Sequence, residues 1–120
     1  MNRQPLSLVV TTLDNAATLA RCLDSAAFAD DIVVLDSGSS DDTVAIARAR
    51  GARIFVEAFK GYGAQKQSAL DKARHDWVLL LDADEELTAQ AAAAIEQALV
   101  APQAAGYTLP RREWLFWRWP

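Results

Sequence analysis

Short apolar runs alternate along the chain with segments of helical pattern. Four runs are rich in Leu or β-branched residues: LSLVV (6–10), DIVVLD (31–36), RIFVE (53–57) and WVLLLD (77–82). Runs this uniformly apolar are typical of strands covered on both faces, as in a parallel sheet. The pattern therefore predicts four buried strands.

Helices are predicted after each strand, at about residues 16–27, 42–50, 64–74 and 88–100. Ser40 or Asp41 can cap the second helix, Gly51 can end it, and Thr88 can cap the fourth. Strands and helices that alternate with short joints indicate βαβ units with right-handed crossovers. The expected fold class is α/β: a doubly wound, mostly parallel sheet with helices on both faces.

Composition narrows the class of protein. Of 120 residues, 52% are hydrophobic and 23% charged, which is typical of a globular domain with a packed core. The net charge of -4 argues against a nucleic-acid partner, because affinity for phosphate backbones needs clustered Lys and Arg. The single Cys22 is interpreted as a core residue in a reducing compartment. The first apolar run is too short for a signal peptide or a membrane span, so the expected location is cytoplasmic.

Polar residues follow the predicted strands, where ligands of open α/β sheets bind. These strand exits carry Thr11 and Thr12, Asp36, Glu57, and the pair Asp82 and Asp84.

The segment LDADEE places four acids directly after a buried strand. Oxygen ligands suit Mg²⁺ or Mn²⁺, and magnesium sites combine one or two carboxylates with phosphate oxygens and water. Asp82 and Asp84 are therefore candidates for a metal and phosphate site. The alternative is a solvated loop whose acids lead into the next helix, and that alternative describes Glu85 and Glu86 better than Asp82.

Two further segments carry candidate binding residues. In VVLDSGSSDDT, Asp36 could accept hydrogen bonds from a nucleobase imide or a ribose hydroxyl, although an ordinary capped βα loop has the same pattern. In KGYGAQKQSALDKA, Lys66 could neutralise a diphosphate, although a solvated lysine on a helix surface is commoner. His75 is interpreted as structural, because it lies at a helix-to-strand joint away from the strand exits.

Three blocks in order, SLVVTTLDNAATLARCLDSA, DDIVVLDSGSSDDTVAIARARGARI and GAQKQSALDKARHDWVLLLDADEELT, resemble the successive signatures of family 2 glycosyltransferases with the GT-A fold, whose nucleotide-binding half is Rossmann-like. The blocks are most similar to the branch that adds glucose or a related hexose to the inner core of bacterial lipopolysaccharide. The resemblance implies inverting, metal-dependent transfer from a UDP-sugar to a glycan or lipid-linked acceptor, with Mg²⁺ or Mn²⁺ as cofactor.

The resemblance also implies roles for individual residues. Thr11 or Thr12 would line the nucleotide site, Asp36 would contact the uracil, Lys66 would help hold the nucleotide, Asp82 would face the ribose and diphosphate, and Asp84 would ligate the metal. Departures are visible: the family often has Asn-Glu where this chain has Asp14-Asn15, and Arg-Asn where it has Lys66-Gln67. No Glu-Asp pair follows Leu87, so the general base is expected beyond Pro120.

The segment GYTLPRREWLFWRWP holds three of the four tryptophans. We expect residues 1–101 to form the nucleotide-sugar-binding domain and residues 102–120 to begin an acceptor-side segment, which the tail resembles. Two other interpretations stay open: peripheral contact with the inner face of the cytoplasmic membrane through Trp114, Phe116, Trp117 and Trp119, or a hydrophobic segment whose packing partners lie elsewhere.

Two other functions fit part of the sequence. A catalytically incomplete fragment would bind a UDP-sugar and transfer nothing. A phosphatase of the haloacid dehalogenase type also ends a strand in Asp-x-Asp, but normally on its first strand and with Gly next, whereas here the pair follows the fourth predicted strand and Glu85 comes next.

Overall fold

The computed structural model describes residues 3–102, 106–108 and 115–118. Strands and helices alternate through most of this range, as the hydrophobic pattern predicts. In chain order the elements are β1 (Leu6–Thr12), α1 (Leu19–Ser25), β2 (Asp31–Asp36), α2 (Thr43–Ala49), β3 (Arg53–Val56), α3 (Tyr62–Leu70), β4 (Trp77–Asp82), α4 (Ala89–Val100), β5 (Gly106–Thr108) and β6 (Leu115–Arg118).

The strands form one sheet in the order β3-β2-β1-β4-β6-β5. Strands β1 to β4 are mutually parallel, which confirms the predicted α/β class. Strand β6 runs antiparallel to β4, and β5 runs antiparallel to β6. The sequence pattern did not predict these last two strands, because they are three and four residues long and lie in a segment rich in Pro and Arg.

Helices cover both faces of the sheet, again as predicted. Leu8 and Val10 of β1 share one apolar cluster with side chains of α1, α2 and α4. Val9, on the opposite face of the same strand, packs in a second cluster with Ala69 and Leu70 of α3. Successive side chains of a strand point to opposite faces, so a uniformly apolar strand is what a sheet covered on both sides requires.

Helices α1 and α3 differ most from their predicted limits, since α3 spans Tyr62–Leu70 and not residues 64–74. Helix α1 begins at Leu19 and not near residue 16, because the N–H groups of Thr18 and Leu19 both donate to the Asn15 carbonyl in a preceding turn. The N-cap of α2 is Asp42 and not Ser40 or Asp41.

The other two predicted helix boundaries are confirmed. Thr88 caps α4, where its side-chain oxygen accepts a hydrogen bond from the N–H of Ala91. Gly51 follows Arg50, the C-cap of α2, and has a φ of +78°, a conformation that glycine adopts without strain.

A buried carboxylate ties together the amino ends of the strands, opposite the strand exits. Asp31 is 5% exposed and accepts hydrogen bonds from Ser7 Oγ (2.8 Å), from the N–H of Arg74 (3.0 Å) and from Arg53 Nε (2.8 Å). Burial alone would raise the pKa of Asp31, but these hydrogen bonds and the Arg53 charge hold it at about 2. The N–H of His75 donates to the same Ser7 Oγ, in agreement with a structural position for this residue.

The helices of the described chain are short. The longest, α4, has 12 residues, and no helix in the described ranges is long and apolar enough to cross a membrane. Of the four aromatic residues assigned to a membrane contact, Trp114 and Trp119 lie outside the described residues. Phe116 and Trp117 lie in β6.

Candidate functional site

A cavity of about 550 Å³ opens at the carboxyl edge of the sheet, between the ends of β1, β2 and β4 and the start of α3. Its volume lies within the range of small-molecule sites. The lining residues are Thr11, Thr12, Leu13, Asn15, Ser37, Phe59, Tyr62, Gln65, Lys66, Asp82, Ala83 and Asp84. Five of the six residues singled out from the sequence, all except Asp36, are in this set.

Asp82 and Asp84 enter the cavity because the chain turns sharply at the end of β4. Asp82 is aligned with Thr11 of the neighbouring strand. The N–H of Asp82 donates to Glu85 Oε1 (2.7 Å), and the N–H of Glu85 donates back to the Asp82 carbonyl (2.9 Å). The turn buries Ala83 to 5% exposure and leaves both aspartate side chains open to solvent.

The two glutamates of the acidic segment do not line the cavity. Glu85 closes the turn just described, and Glu86 is exposed. Both precede Thr88, the N-cap, so neither lies in the first turn of α4. Both glutamates therefore lead into α4, as expected, but they lie before its first turn, and Glu85 interacts with the backbone of Asp82.

Lys66 of α3 reaches across the cavity towards this turn. Its Nζ lies 3.5 Å from Asp82 Oδ1, with 38% and 55% of the two side chains exposed. Lys66, Asp82 and Asp84 therefore share one site that is open to solvent, and none of the three charges is buried.

Asp36 lies outside the cavity lining and is 1% exposed. Its Oδ1 accepts hydrogen bonds from Thr12 Oγ1 and Ser39 Oγ, both at 2.6 Å, and its Oδ2 accepts from the N–H groups of Gly38 (2.9 Å) and Ser39 (2.7 Å). Burial would raise the pKa of this carboxyl, but these four donors hold it below its ordinary value. The next residue, Ser37, lines the cavity in its place.

Gln65 is a site residue that sequence reasoning missed. It is 2% exposed and lines the cavity. Its Nε2 donates to Ser37 Oγ (3.2 Å) and to the Glu57 carbonyl (3.4 Å), while its Oε1 accepts from the N–H of Lys60 (3.3 Å). One amide thus joins the exits of β2 and β3 to the helix of Lys66. Gln65 lies four residues before the buried Ala69, on the same side of α3, and this spacing could have indicated that Gln65 faces the sheet.

Glu57 anchors the segment between β3 and α3 from outside the cavity. Its carboxylate lies 2.7 Å from Lys60 Nζ and 2.7 Å from Lys72 Nζ, and it accepts a 2.6 Å hydrogen bond from Ser68 Oγ. Hydrogen bonds from Lys60, Lys72 and Ser68 lower the pKa of Glu57 to about 2. The polar residue at the third strand exit therefore fixes α3 to the sheet edge.

The segment after β1 is joined to the one after β2. Asp14 has a φ of +52°, and its Oδ1 accepts a hydrogen bond from the N–H of Ser40 (2.8 Å). The N–H of Asn15 donates to Thr43 Oγ1 (2.8 Å). The departure at Asp14-Asn15 thus serves a contact between loops, while Leu13 and Asn15 also line the cavity.

Cys22 lies behind the carboxylate turn, with its Sγ 3.5 Å from the Asp82 carbonyl. Burial, and then the charges of Glu85, Asp82 and Asp84, raises the pKa of its thiol to about 12. A thiol in this state is a core group and not a nucleophile.

Asp82 and Asp84 fit a metal that is shared with a ligand. No three His, Cys, Asp or Glu side chains of the described ranges are placed to hold an ion by themselves. Magnesium and similar ions commonly take one or two carboxylates and complete their shell with phosphate oxygens and water. The two exposed aspartates and the adjacent Lys66 match that arrangement.

Comparison with known proteins assigns the chain to a family. The model of glycosyl transferase family 2 matches residues 7–119. An uncharacterized glycosyltransferase of Rickettsia felis is 42% identical over 86 residues, which cover 71% of this chain and 30% of that protein. The lipopolysaccharide core biosynthesis glycosyltransferase LpsC of Rhizobium meliloti is 32% identical over 117 residues, 92% of this chain and 43% of LpsC. The chain therefore spans less than half the length of these relatives.

Solved structures share the fold of this chain. Glucosyl-3-phosphoglycerate synthase of Mycobacterium tuberculosis, crystallised with Mn²⁺, UDP and glucosyl-3-phosphoglycerate, superposes with a TM-score of 0.60 at 28% identity, covering 69% of this chain and 36% of that one. S. aureus TarS, at 22% identity, shares the fold with a TM-score of 0.67 over 85% of this chain and 34% of its own. Fold, sequence and family model agree that this chain belongs to glycosyl transferase family 2.

Proposed function

We propose that this chain forms the donor-binding part of an inverting, metal-dependent glycosyltransferase that takes a hexose, with glucose as the leading candidate, from a UDP-sugar to a lipopolysaccharide core or similar glycan. The observation that carries the proposal is the meeting of Lys66, Asp82 and Asp84 in one cavity at the carboxyl edge of a parallel sheet. The M. tuberculosis relative was crystallised with UDP and Mn²⁺, and the R. meliloti relative is named for lipopolysaccharide core biosynthesis.

In this proposal the cavity residues act on the leaving group. Asp84, with Asp82 beside it, would hold Mg²⁺ or Mn²⁺ against the diphosphate. The ion, when bound, supplies positive charge that stabilises the departing diphosphate. Lys66 lies on the same side and adds a second positive charge, while Asp82 faces the ribose and diphosphate. Charge that is fixed before the reaction lowers the barrier, because the site need not reorganise.

The other requirement is a base that removes a proton from the acceptor hydroxyl. Among the cavity-lining residues of the described chain, Asp82 and Asp84 are the carboxylates, and the proposal commits both to the donor. We therefore keep the prediction that the general base lies in a segment beyond Pro120. For the isolated 120-residue chain this predicts UDP binding with little transfer.

A second candidate is a module that binds a UDP-sugar without transferring it. The observation that favours it is the lining of the cavity, whose carboxylates in the described chain, Asp82 and Asp84, are both assigned to the donor. The phosphatase alternative is weaker, since the family match extends over residues 7–119 and the Asp-x-Asp pair follows the fourth strand and not the first.

Calorimetry with UDP, in the presence and absence of Mn²⁺, tests the donor site, and UDP-glucose turnover tests the chemistry. The proposal predicts binding that strengthens with Mn²⁺, and a preference for UDP-glucose over UDP-galactose. Binding with slow but measurable turnover of UDP-glucose supports the enzyme, whereas binding with no detectable hydrolysis or transfer favours the binding module. Absence of Mn²⁺-dependent UDP binding contradicts both, and hydrolysis of p-nitrophenyl phosphate would support the phosphatase.

The tail keeps its proposed role as the start of an acceptor-side segment. Strands β5 and β6 extend the sheet beyond β4, which is the side of the carboxylate pair. Sedimentation with anionic vesicles tests the alternative membrane contact. Binding that is lost in Trp114→Ser and Trp119→Ser would support that contact at the inner face of the membrane.

A further inference from the structure

Large hydrophobic side chains are exposed at one place in the described chain. Leu13 (51% exposed), Val56 (64%), Phe59 (51%) and Tyr62 (80%) all follow or end strands at the carboxyl edge of the sheet. Leu13, Phe59 and Tyr62 line the cavity, whereas Val56 does not. The apolar surface is therefore part of the wall of the candidate site.

Phe59 and Tyr62 form a defined corner. Their ring centroids are 5.1 Å apart and the ring planes meet at 74°. The rings flank Gly61, whose φ of +101° turns the chain into α3. Lys60 fixes the same turn through its 2.7 Å ion pair with Glu57 and through its N–H bond to the buried Gln65.

Two aromatic faces held open at a cavity wall suit a flat ligand group. Burying exposed aromatic surface is favourable, so a ligand group that stacks on these rings and removes them from water stabilises the complex. A planar base can lie on one ring with its edge towards the other.

The strand order places the aromatic corner and the carboxylate pair on opposite sides of β1. Strand β4, which carries Asp82 and Asp84, lies on one side of β1, and β2 and β3 lie on the other. Phe59 and Tyr62 follow β3. The sugar must meet the acceptor, and the proposed acceptor-side segment extends the sheet beyond β4. The nucleoside, at the other end of the diphosphate, is therefore the part of the donor that extends towards the aromatic corner.

We propose that Phe59 and Tyr62 form the stacking platform for the nucleobase of the donor. This assignment rests on the proposed function, because it assumes a diphosphate at Asp82 and Asp84. It gives base binding to two aromatic rings that the sequence motifs did not identify. Asp36, which was expected to contact the base, has its oxygens occupied by four donors of its own chain.

The test compares UDP with inorganic diphosphate, each measured by calorimetry in the presence of Mn²⁺. Tyr62→Ala is expected to weaken UDP binding about tenfold, since stacking on one aromatic side chain is of that order. The affinity for inorganic diphosphate should be unchanged, because that probe has no base. Tyr62→Phe and Phe59→Tyr should retain UDP binding, whereas Phe59→Leu should weaken it.

Val56→Ala is the matched control, because the exposure of Val56 lies between those of Phe59 and Tyr62 and Val56 is at the same edge but outside the cavity lining. It should change neither affinity. The platform is overturned if Tyr62→Ala and Phe59→Leu leave UDP binding intact, or weaken diphosphate as much as UDP. A wild-type chain that binds neither probe with Mn²⁺ overturns the proposed function as well, so the two failures are distinguishable.

Discussion

Lys66 Nζ lies 3.5 Å from Asp82 Oδ1, which brings α3 and the end of β4 together across the mouth of the cavity. Both side chains are substantially exposed, and ion pairs of that kind add about 0–1 kcal/mol to stability. The pair therefore contributes little to the stability of the fold. We expect Lys66 to contribute more to diphosphate binding, because the lysine is already in position to meet the charge of the diphosphate.

Replacing Lys66 separates these two contributions. Lys66→Met should change the free energy of unfolding by less than about 1 kcal/mol and weaken UDP binding about ten- to a hundredfold, the cost of losing a hydrogen bond to a charged group. Urea denaturation and calorimetry measure the two effects. Lys66→Arg should restore most of the affinity. A Lys66→Met chain that unfolds easily but binds UDP normally would contradict this role.

Asp36 is predicted to contribute more to the stability of the fold than to ligand binding. Asp36→Asn places an NH₂ group against donors that now meet a carboxylate, which should cost about 2 to 3 kcal/mol of stability. The control is Asp42→Asn, because Asp42 is exposed and its side chain does not cap α2. An unchanged urea midpoint together with a large loss of UDP affinity would instead indicate direct contact between Asp36 and the base.

Stability should fall in acid between about pH 4 and pH 2. The pKa of Asp31 is about 2 in the folded chain against an ordinary value of 3.8, and that of Glu57 is about 2 against 4.5. The unfolded chain therefore binds more protons in this interval, so protonation favours unfolding. The stability contributed by both carboxylates is fully present above their ordinary pKa values. It is lost as the pH falls through their pKa values in the folded chain.

Urea midpoints measured from pH 6 to pH 2 check this dependence. Asp31→Asn should lower the midpoint at pH 6 and flatten its decline below pH 4, since the buried group no longer titrates. Asp76→Asn, an exposed carboxylate near the same edge, is the control. If the decline is as steep in Asp31→Asn as in the wild type, Asp31 is not its cause.

Gln65 is predicted to position Lys66. Gln65→Met removes the amide that links Ser37, Glu57 and Lys60, and it should weaken UDP binding about tenfold. In a Lys66→Met background the same change should have little further effect, because residues that act through one another are not additive. Gln67→Met is the control, since Gln67 is the exposed neighbour and contacts Asp71. Additive losses of affinity would show that Gln65 acts independently of Lys66.

The sequence was most informative where one physical signal dominates. The apolar runs located β1 to β4 to within two residues. The expectation that all four are buried is wrong for β3, which is the edge strand of the sheet and has half-buried or exposed residues. The strand exits then located Thr11, Thr12, Asp82 and Asp84 at the cavity. Thr88 was recognisable as a cap from residue type alone.

Other features depend on contacts between distant segments, which a single sequence does not reveal. The burial of Asp36 depends on Thr12 and Ser39 donating to the same carboxylate. Gln65 looks like any polar residue of a helix until Ser37 and Lys60 approach it. Strand β6 is defined by its backbone pairing with β4, and strand β5 by its pairing with β6, and neither pairing can be read from the sequence alone.

Whether Asp84 holds the metal is measured by the Mn²⁺ dependence of UDP binding in Asp84→Asn. Glu86→Gln is the matched control, because it removes one exposed charge from the same turn outside the cavity lining. We predict that Mn²⁺ strengthens UDP binding in the wild type and in Glu86→Gln but not in Asp84→Asn, with all three chains equally stable to urea. An Asp84→Asn chain that still binds UDP more tightly with Mn²⁺, as the wild type does, would contradict the claim that Asp84 holds the metal.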